Sequence, residues 1–252
     1  MRTVVISGAS SGIGEATAKR FAESGDRVVN LDVRPPATPH PNITWHETDV
    51  ADWTAVAQTV AYLHDTYGRL DVVIANAGVS IRHDVLDITE SEARRVLEVN
   101  LLGVLALWRA AARHMVDDGG GVLLATGSVN GHRGFPHYAD YNASKAGVAA
   151  LCRTFALELG PRIRAACVSP GAVLTPMQLA EYTPQMLDEV NARIPAGRHA
   201  DPAEIAEAFH FLASPAAHFM TGQELVIDGG EIAGSTTTEF DTERQPPVAA
   251  GR

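Results

Sequence analysis

The chain has 252 residues, 46% hydrophobic and 20% charged, which suits one α/β domain with a sizeable core and excludes a disordered or fibrous protein. A formal net charge of −10 repels phosphate backbones and anionic lipid, so neither nucleic acid nor a membrane surface is expected as a partner. A small molecule is favoured instead.

In chain order, an apolar run at Thr3–Ser7 reaches a Ser-Gly turn by Gly8, leaving no room for the longer apolar core of a signal peptide. A cytoplasmic protein is therefore expected. Further β-rich runs follow at Arg27–Asp32, Ile43–Glu47, 71–75, Gly121–Thr126, 164–169 and 224–228, with longer helical patterns between most of them. This alternation predicts βαβ units, a parallel sheet and helices on both faces. The link 33–42 between the second and third runs carries Pro35, Pro36, Pro39 and Pro41, so no helix is expected there and the sheet should be thinly covered beside it.

The apolar stretch 99–112 is broken by Asn100 and Arg109 and is too short to span a bilayer. Cys152 and Cys167 sit in apolar runs without a paired-spacing framework and read as buried free thiols, which fits a reducing compartment. Residues 175–198 carry Met177, Leu179, Met186 and Leu187 among polar residues just after a strand, a pattern expected of a lid over a cleft. The domain is expected to occupy 1–233. The tail 234–252, with Thr236–Thr238 and Pro246–Pro247, has too little apolar content to pack and is expected to be mobile.

Three patterns carry chemistry. The first strand runs into Gly8-Ala9-Ser10-Ser11-Gly12-Ile13-Gly14 and a helix, where glycines permit a tight turn and the free N–H groups of the helix start attract a pyrophosphate. Alone, that turn could be an ordinary strand-to-helix connection. No Gly-Lys-Ser/Thr ending follows, which disfavours a nucleotide hydrolase. Asp32 closes the second strand about 20 residues on, where a carboxylate accepts from ribose hydroxyls and repels a 2′-phosphate. Arg34 could hold that phosphate, but Ser11 rather than a basic residue precedes Gly12, so NAD(H) is favoured over NADP(H). Tyr141 and Lys145 stand four apart on one helix face, where a cation favours the phenolate and makes the tyrosine a usable general acid or base.

With Asp49, Asn76-Ala77-Gly78, Asn100, Ser128 and Pro170-Gly171-Ala172-Val173-Leu174-Thr175 in the same order, the chain resembles the short-chain dehydrogenase/reductase family from Thr3 to about Gly230. The resemblance implies a single doubly wound Rossmann-type domain with strand order 3-2-1-4-5-6-7, a homotetramer or dimer, and hydride exchange between NAD(H) and a secondary alcohol or its ketone. Tyr141 would exchange the proton, with Lys145 lowering its pKa and binding the nicotinamide ribose. Ser128 would orient the substrate oxygen, and Asn100 would hold a water linked to Lys145. The 8–14 turn, Asp32, Asp49, Val50, Asn76, Ala77, Gly78, Pro170, Gly171, Val173 and Thr175 would form the cofactor channel. Asn130, His137, Tyr138 and Met177 are the substrate candidates. Ser7 and Ala75 depart from the family's usual Thr and Asn without removing an assigned role.

His132, Arg133, His137 and Tyr138 are either exposed loop residues or a cationic rim suited to a carboxylate or phenol. The ten histidines include no metalloprotease-type pair and no histidine lies between the two cysteines, so no catalytic zinc is expected. Two rival readings stand beside the alcohol dehydrogenase. The short proline-rich link and residues 168–178 resemble 2,3-dihydro-2,3-dihydroxybenzoate dehydrogenases, which would make the product a catechol. A non-catalytic NAD(H)-binding protein of the same fold is the other, set against retention of all four catalytic positions.

Overall fold

A computed structural model describes residues 1–234. Seven parallel strands, β1 (Thr3–Ser7), β2 (Arg27–Asp32), β3 (Ile43–Glu47), β4 (Val72–Ala75), β5 (Gly121–Thr126), β6 (Ile163–Pro170) and β7 (Gln223–Ile227), form one sheet in the order β3-β2-β1-β4-β5-β6-β7. Each expected strand is present, and ends differ by at most one residue. Side chains alternate across the sheet as a two-residue period demands. Val4 and Ile6 of β1 enter one core layer and Val5 enters the other; in β4, Val72 and Ile74 oppose Val73 and Ala75 in the same way.

Helices α2 (Trp53–Tyr67), α4 (Gly103–Met115) and α5 (Ala139–Leu159) cover the face that buries Trp108, Leu107 and Leu123. Helices α1 (Gly12–Glu23) and α8 (Pro202–Leu212) cover the opposite face, around Phe21 and Phe209. The strongest local signals lie at helix ends. Asp52 caps α2 by accepting from Thr54 and Ala55 N–H, and Gly68 at φ 72 closes it. Thr89 and Glu92 form a capping box on α3 (Glu90–Leu97), as Asp201 and Glu204 do on α8. The link 33–42 forms no helix, and its strand β3 is only partly covered, as the prolines require.

Between α3 and α4 the chain makes a π-helical turn at Glu98–Leu102, which carries Asn100. Residues 175–198 form two short helices, α6 (Pro176–Glu181) and α7 (Pro184–Asn191), neither of which buries a side chain. Both cysteines are free and buried. Among the described residues no helix is long and apolar enough to cross a membrane. The expected tail lies outside the described residues except for Gly234.

Candidate active site

The strand order reverses between β1 and β4, the place where an open α/β sheet leaves a crevice at its carboxyl edge. A cleft of about 250 Å³ lies there, lined by Gly8, Ser11, Gly12, Ile13, Asp32, Asp49, Val50, Asn76, Ala77, Gly78, Tyr141, Lys145 and Thr175. Most of the expected cofactor positions therefore converge.

The turn 8–14 is shaped by close backbone approach. A Cβ on Gly8 would lie 2.7 Å from Ala77 Cα, and Gly8 and Gly12 adopt φ of 67° and 57°, where only glycine is unstrained. Gly14 does not line the cleft. A Cβ there would collide with the Gly8 carbonyl, so this glycine permits the helix to pack on its strand. Ser10 is also absent from the lining, because its hydroxyl donates to Arg34 O at 2.6 Å while accepting from Asn30 Nδ2 at 2.9 Å. Ser7 receives Asn76 N–H at 3.0 Å and Ala77 N–H at 3.1 Å, locking the exit of β4 beside the turn.

The donor set fits a dinucleotide. Ser11 makes no side-chain cap on α1, so N–H groups of that helix start remain open for a phosphate. Asp32 is held in place at the far end, accepting from Ser10 N–H at 3.1 Å and Arg34 N–H at 3.1 Å. Asp49 accepts from Ala51 N–H at 2.9 Å, and its other oxygen lies 3.5 Å from Arg95, a lining residue the sequence reading did not single out.

A second cavity of about 860 Å³ opens beyond it. Ser128, Asn130, His137, Tyr138, Gly171, Met177 and Tyr141 line it, together with Glu181, Tyr182 and Arg193 of segment 175–198. Tyr141 and Met177 border both spaces. Tyr138 turns out to do more than face the cavity: its hydroxyl donates to Glu181 Oε2 at 2.7 Å and contacts Tyr182 Oη at 3.3 Å, tying α6 to the start of α5. Pro170 and Val173 line neither space. The Val173 side chain packs in the core, so only its backbone is available to a ligand.

Around Tyr141 the electrostatics differ from the expectation drawn from the helix spacing. Burial chiefly, opposed by the Ser128 hydroxyl and aided by the Glu181 carboxylate, pushes the Tyr141 phenol up to about 12. Lys145 Nζ donates to Thr126 O at 2.8 Å and lies 5.5 Å from the Tyr141 ring centroid. Burial lowers the Lys145 ammonium to about 8, which leaves it cationic at neutral pH.

Asn100 is fully buried and its amide is already engaged. Oδ1 accepts from Val79 N–H at 2.8 Å, and Nδ2 donates to Val79 O at 2.9 Å and to Ser144 Oγ at 3.3 Å. It pins the segment after β4 to α5, and a water held by this residue would have to use its backbone. The apolar run around Asn100 marked it in the sequence, whereas nothing there marked Thr126, whose hydroxyl donates to Asn76 Oδ1 at 2.9 Å.

A doubly wound sheet with a glycine-edged cleft at its switch point and a Tyr-Lys pair on the bordering helix defines the class. A family model described as enoyl-(acyl carrier protein) reductase matches residues 8–231. The chain is 39% identical to cis-4-hydroxycyclohexanecarboxylate dehydrogenase of Sinomonas cyclohexanicum, over 92% of this chain and 97% of that one. It is 36% identical to glucose 1-dehydrogenase of Gluconobacter oxydans, over 91% of each. The ligand-free aldohexose dehydrogenase of Thermoplasma acidophilum superposes with a TM-score of 0.90 at 28% identity, over 95% and 97% of the two chains. This chain belongs to the short-chain dehydrogenase/reductase family.

Proposed function

We propose that this protein is an NAD(H)-dependent oxidoreductase that interconverts a secondary alcohol and its ketone. The observation that carries the reading is the position of Tyr141, on the border between the nucleotide cleft and the larger cavity. A proton-transfer group belongs where the reacting carbon must lie. The open start of α1 would hold the phosphates of a nicotinamide dinucleotide and Asp32 its adenosine ribose, and the bound group would supply or accept the hydride. The Tyr141 hydroxyl gives its proton to the carbonyl oxygen in reduction and removes it from the alcohol in oxidation. Ser128, whose hydroxyl lowers the Tyr141 pKa, orients the same oxygen and stabilises the phenolate. Lys145 reaches the cleft as a buried cation and holds the cofactor ribose. Segment 175–198 acts as the lid, fastened through Tyr138 and Glu181.

Two of the similar proteins are named for hydroxylated six-carbon-scale substrates, a hydroxycyclohexanecarboxylate and glucose. A polar cavity of about 860 Å³ accommodates a ring of that size with room for its substituents. The test is a panel of ketones, including 4-oxocyclohexanecarboxylate and cyclohexanone, followed by loss of NADH absorbance, with the corresponding alcohols and glucose run against NAD⁺. Turnover that needs NADPH, or none with any member despite NADH binding, would overturn the reading. A catechol product from a dihydrodiol would favour the dihydrodiol dehydrogenase reading.

A further inference from the structure

Asp140 stands directly before Tyr141 in the first turn of α5, with only 4% of its side chain exposed. Its Oδ1 accepts the Tyr141 N–H at 2.8 Å. Its Oδ2 is sealed from solvent and has no hydrogen-bond partner among the described residues. A buried carboxylate oxygen left in this state is unfavourable unless a cation faces it.

His83 faces it, on the segment that leaves β4. The ring is 10% exposed, its Nε2 lies 3.4 Å from Asp140 Oδ2, and its Nδ1 lies 3.9 Å from Glu92 Oε2 of α3. Neither ring nitrogen makes a hydrogen bond within the described residues. A protonated imidazole has a donor for each carboxylate, and the neutral ring has one only. The Glu92 oxygen is already engaged by the Thr89 hydroxyl at 2.6 Å, so Asp140 is the carboxylate with an unmet need.

The backbone repeats the contact. His83 N–H donates to His137 O at 3.1 Å, and Asp84 Oδ1 lies 2.7 Å from the ring of His137, a non-glycine residue held at φ 70°. Residues 83 and 84 thus grip the segment that leads into the catalytic helix at three points. Ser80, Arg82, His137 and Tyr138 from these two segments form one wall of the large cavity.

We propose that His83 pairs with Asp140 and thereby fixes the first turn of α5, so that the Tyr141 hydroxyl stays in register with Ser128. Both are positioning residues; neither touches the substrate. The proposal rests on the reading of Tyr141 as the proton-transfer group.

Three variants of the full chain test it: His83→Gln, whose amide reaches the place of Nε2, Asp140→Asn and the double replacement, assayed with NADH and 4-oxocyclohexanecarboxylate. Each single change mismatches the buried pair and should lower kcat by about tenfold or more, with KM and NADH affinity changed by less than about threefold. In the double variant two amides can pair, and most of the lost turnover should return. Activity-independent support comes from the ultraviolet titration of Tyr141, isolated by subtracting the same variant carrying Tyr141→Phe. It should move down from about 12 in the single variants as the ring loosens from its buried seat, and return in the double. Single variants that melt earlier yet keep the wild-type kcat and Tyr141 titration would overturn the proposal. So would a double variant whose loss is the sum of the two singles. If wild type binds NADH but reduces no ketone, the oxidoreductase reading fails, and the Tyr141 titration still decides whether the pair positions that ring.

Discussion

The nucleotide cleft and the larger cavity share a tyrosine and little else. The cleft is built from backbone, glycines and short side chains at the point where the sheet reverses its order, so its form follows from the fold itself. The cavity is walled by long polar side chains, among them Arg82, Arg133, Arg193, Glu181 and Glu231, and roofed by two short helices that bury nothing. A substitution in the first space disturbs the fold or the cofactor; one in the second can change the substrate while the core stays intact.

The sharpest way to break this comparison is at the shared tyrosine. Tyr141→Phe keeps the ring and deletes the titrating oxygen, so turnover should fall by about 10²- to 10⁴-fold, the usual contribution of general acid–base catalysis. NADH affinity, measured by fluorescence titration, should stay within about twofold. Retained turnover with a confirmed substrate would detach the chemistry from both spaces.

Asp32 tests whether the cleft selects its cofactor by charge. Wild type should bind NADH more tightly than NADPH by on the order of a hundredfold, since a 2′-phosphate loses hydrogen bonds and meets a like charge. Asp32→Asn should shrink that ratio toward unity by favouring NADPH, with some fall in melting temperature, because an amide oxygen can accept from only one of the Ser10 and Arg34 N–H groups. Equal affinities in wild type would remove Asp32 from the ribose.

Gly14 tests the claim that part of the turn serves packing alone. Alanine there places a methyl against the Gly8 carbonyl and the Asn76 amide, and overpacking of this kind costs about 1–3 kcal/mol. Denaturant unfolding should register that loss. NADH binding should weaken only as far as the turn is displaced, and an unaltered unfolding curve would show that α1 can shift away freely.

The same division explains what could be read from residues alone. Strand positions follow from short apolar runs and their punctuation, and the missing crossover helix follows from four prolines, because these signals are local. The cleft was legible for the same reason: its turn, Asp32 and the Asn76–Gly78 segment all sit at strand ends. Pairings across the fold were not. Nothing near His83 announces Asp140, and the contact of Tyr138 with Glu181 depends on how the weakly patterned segment 175–198 settles on α5. The Tyr141–Lys145 spacing shows that two side chains share a helix face but not that Lys145 spends a hydrogen bond on Thr126.

The smallest expected effect joins the two regions through charge. Burial is the main reason the Tyr141 phenol is held up at about 12, Ser128 opposes it, and Glu181 adds a lesser upward push from the lid. Glu181→Gln removes the negative charge while leaving an amide oxygen to accept from Tyr138, so the lid fastening survives. With the phenolate less disfavoured, the Tyr141 pKa falls. Oxidation of the alcohol uses the deprotonated form, so its rate rises with pH through this ionisation, and the ascending limb should move to lower pH in the variant by a fraction of a pH unit. Reduction uses the protonated form, and its descending limb should move the same way. A limb that stays fixed in Glu181→Gln, while Tyr141→Phe abolishes it, would show that the lid carboxylate is screened from the phenol and that the cavity tunes substrate fit without touching the proton transfer.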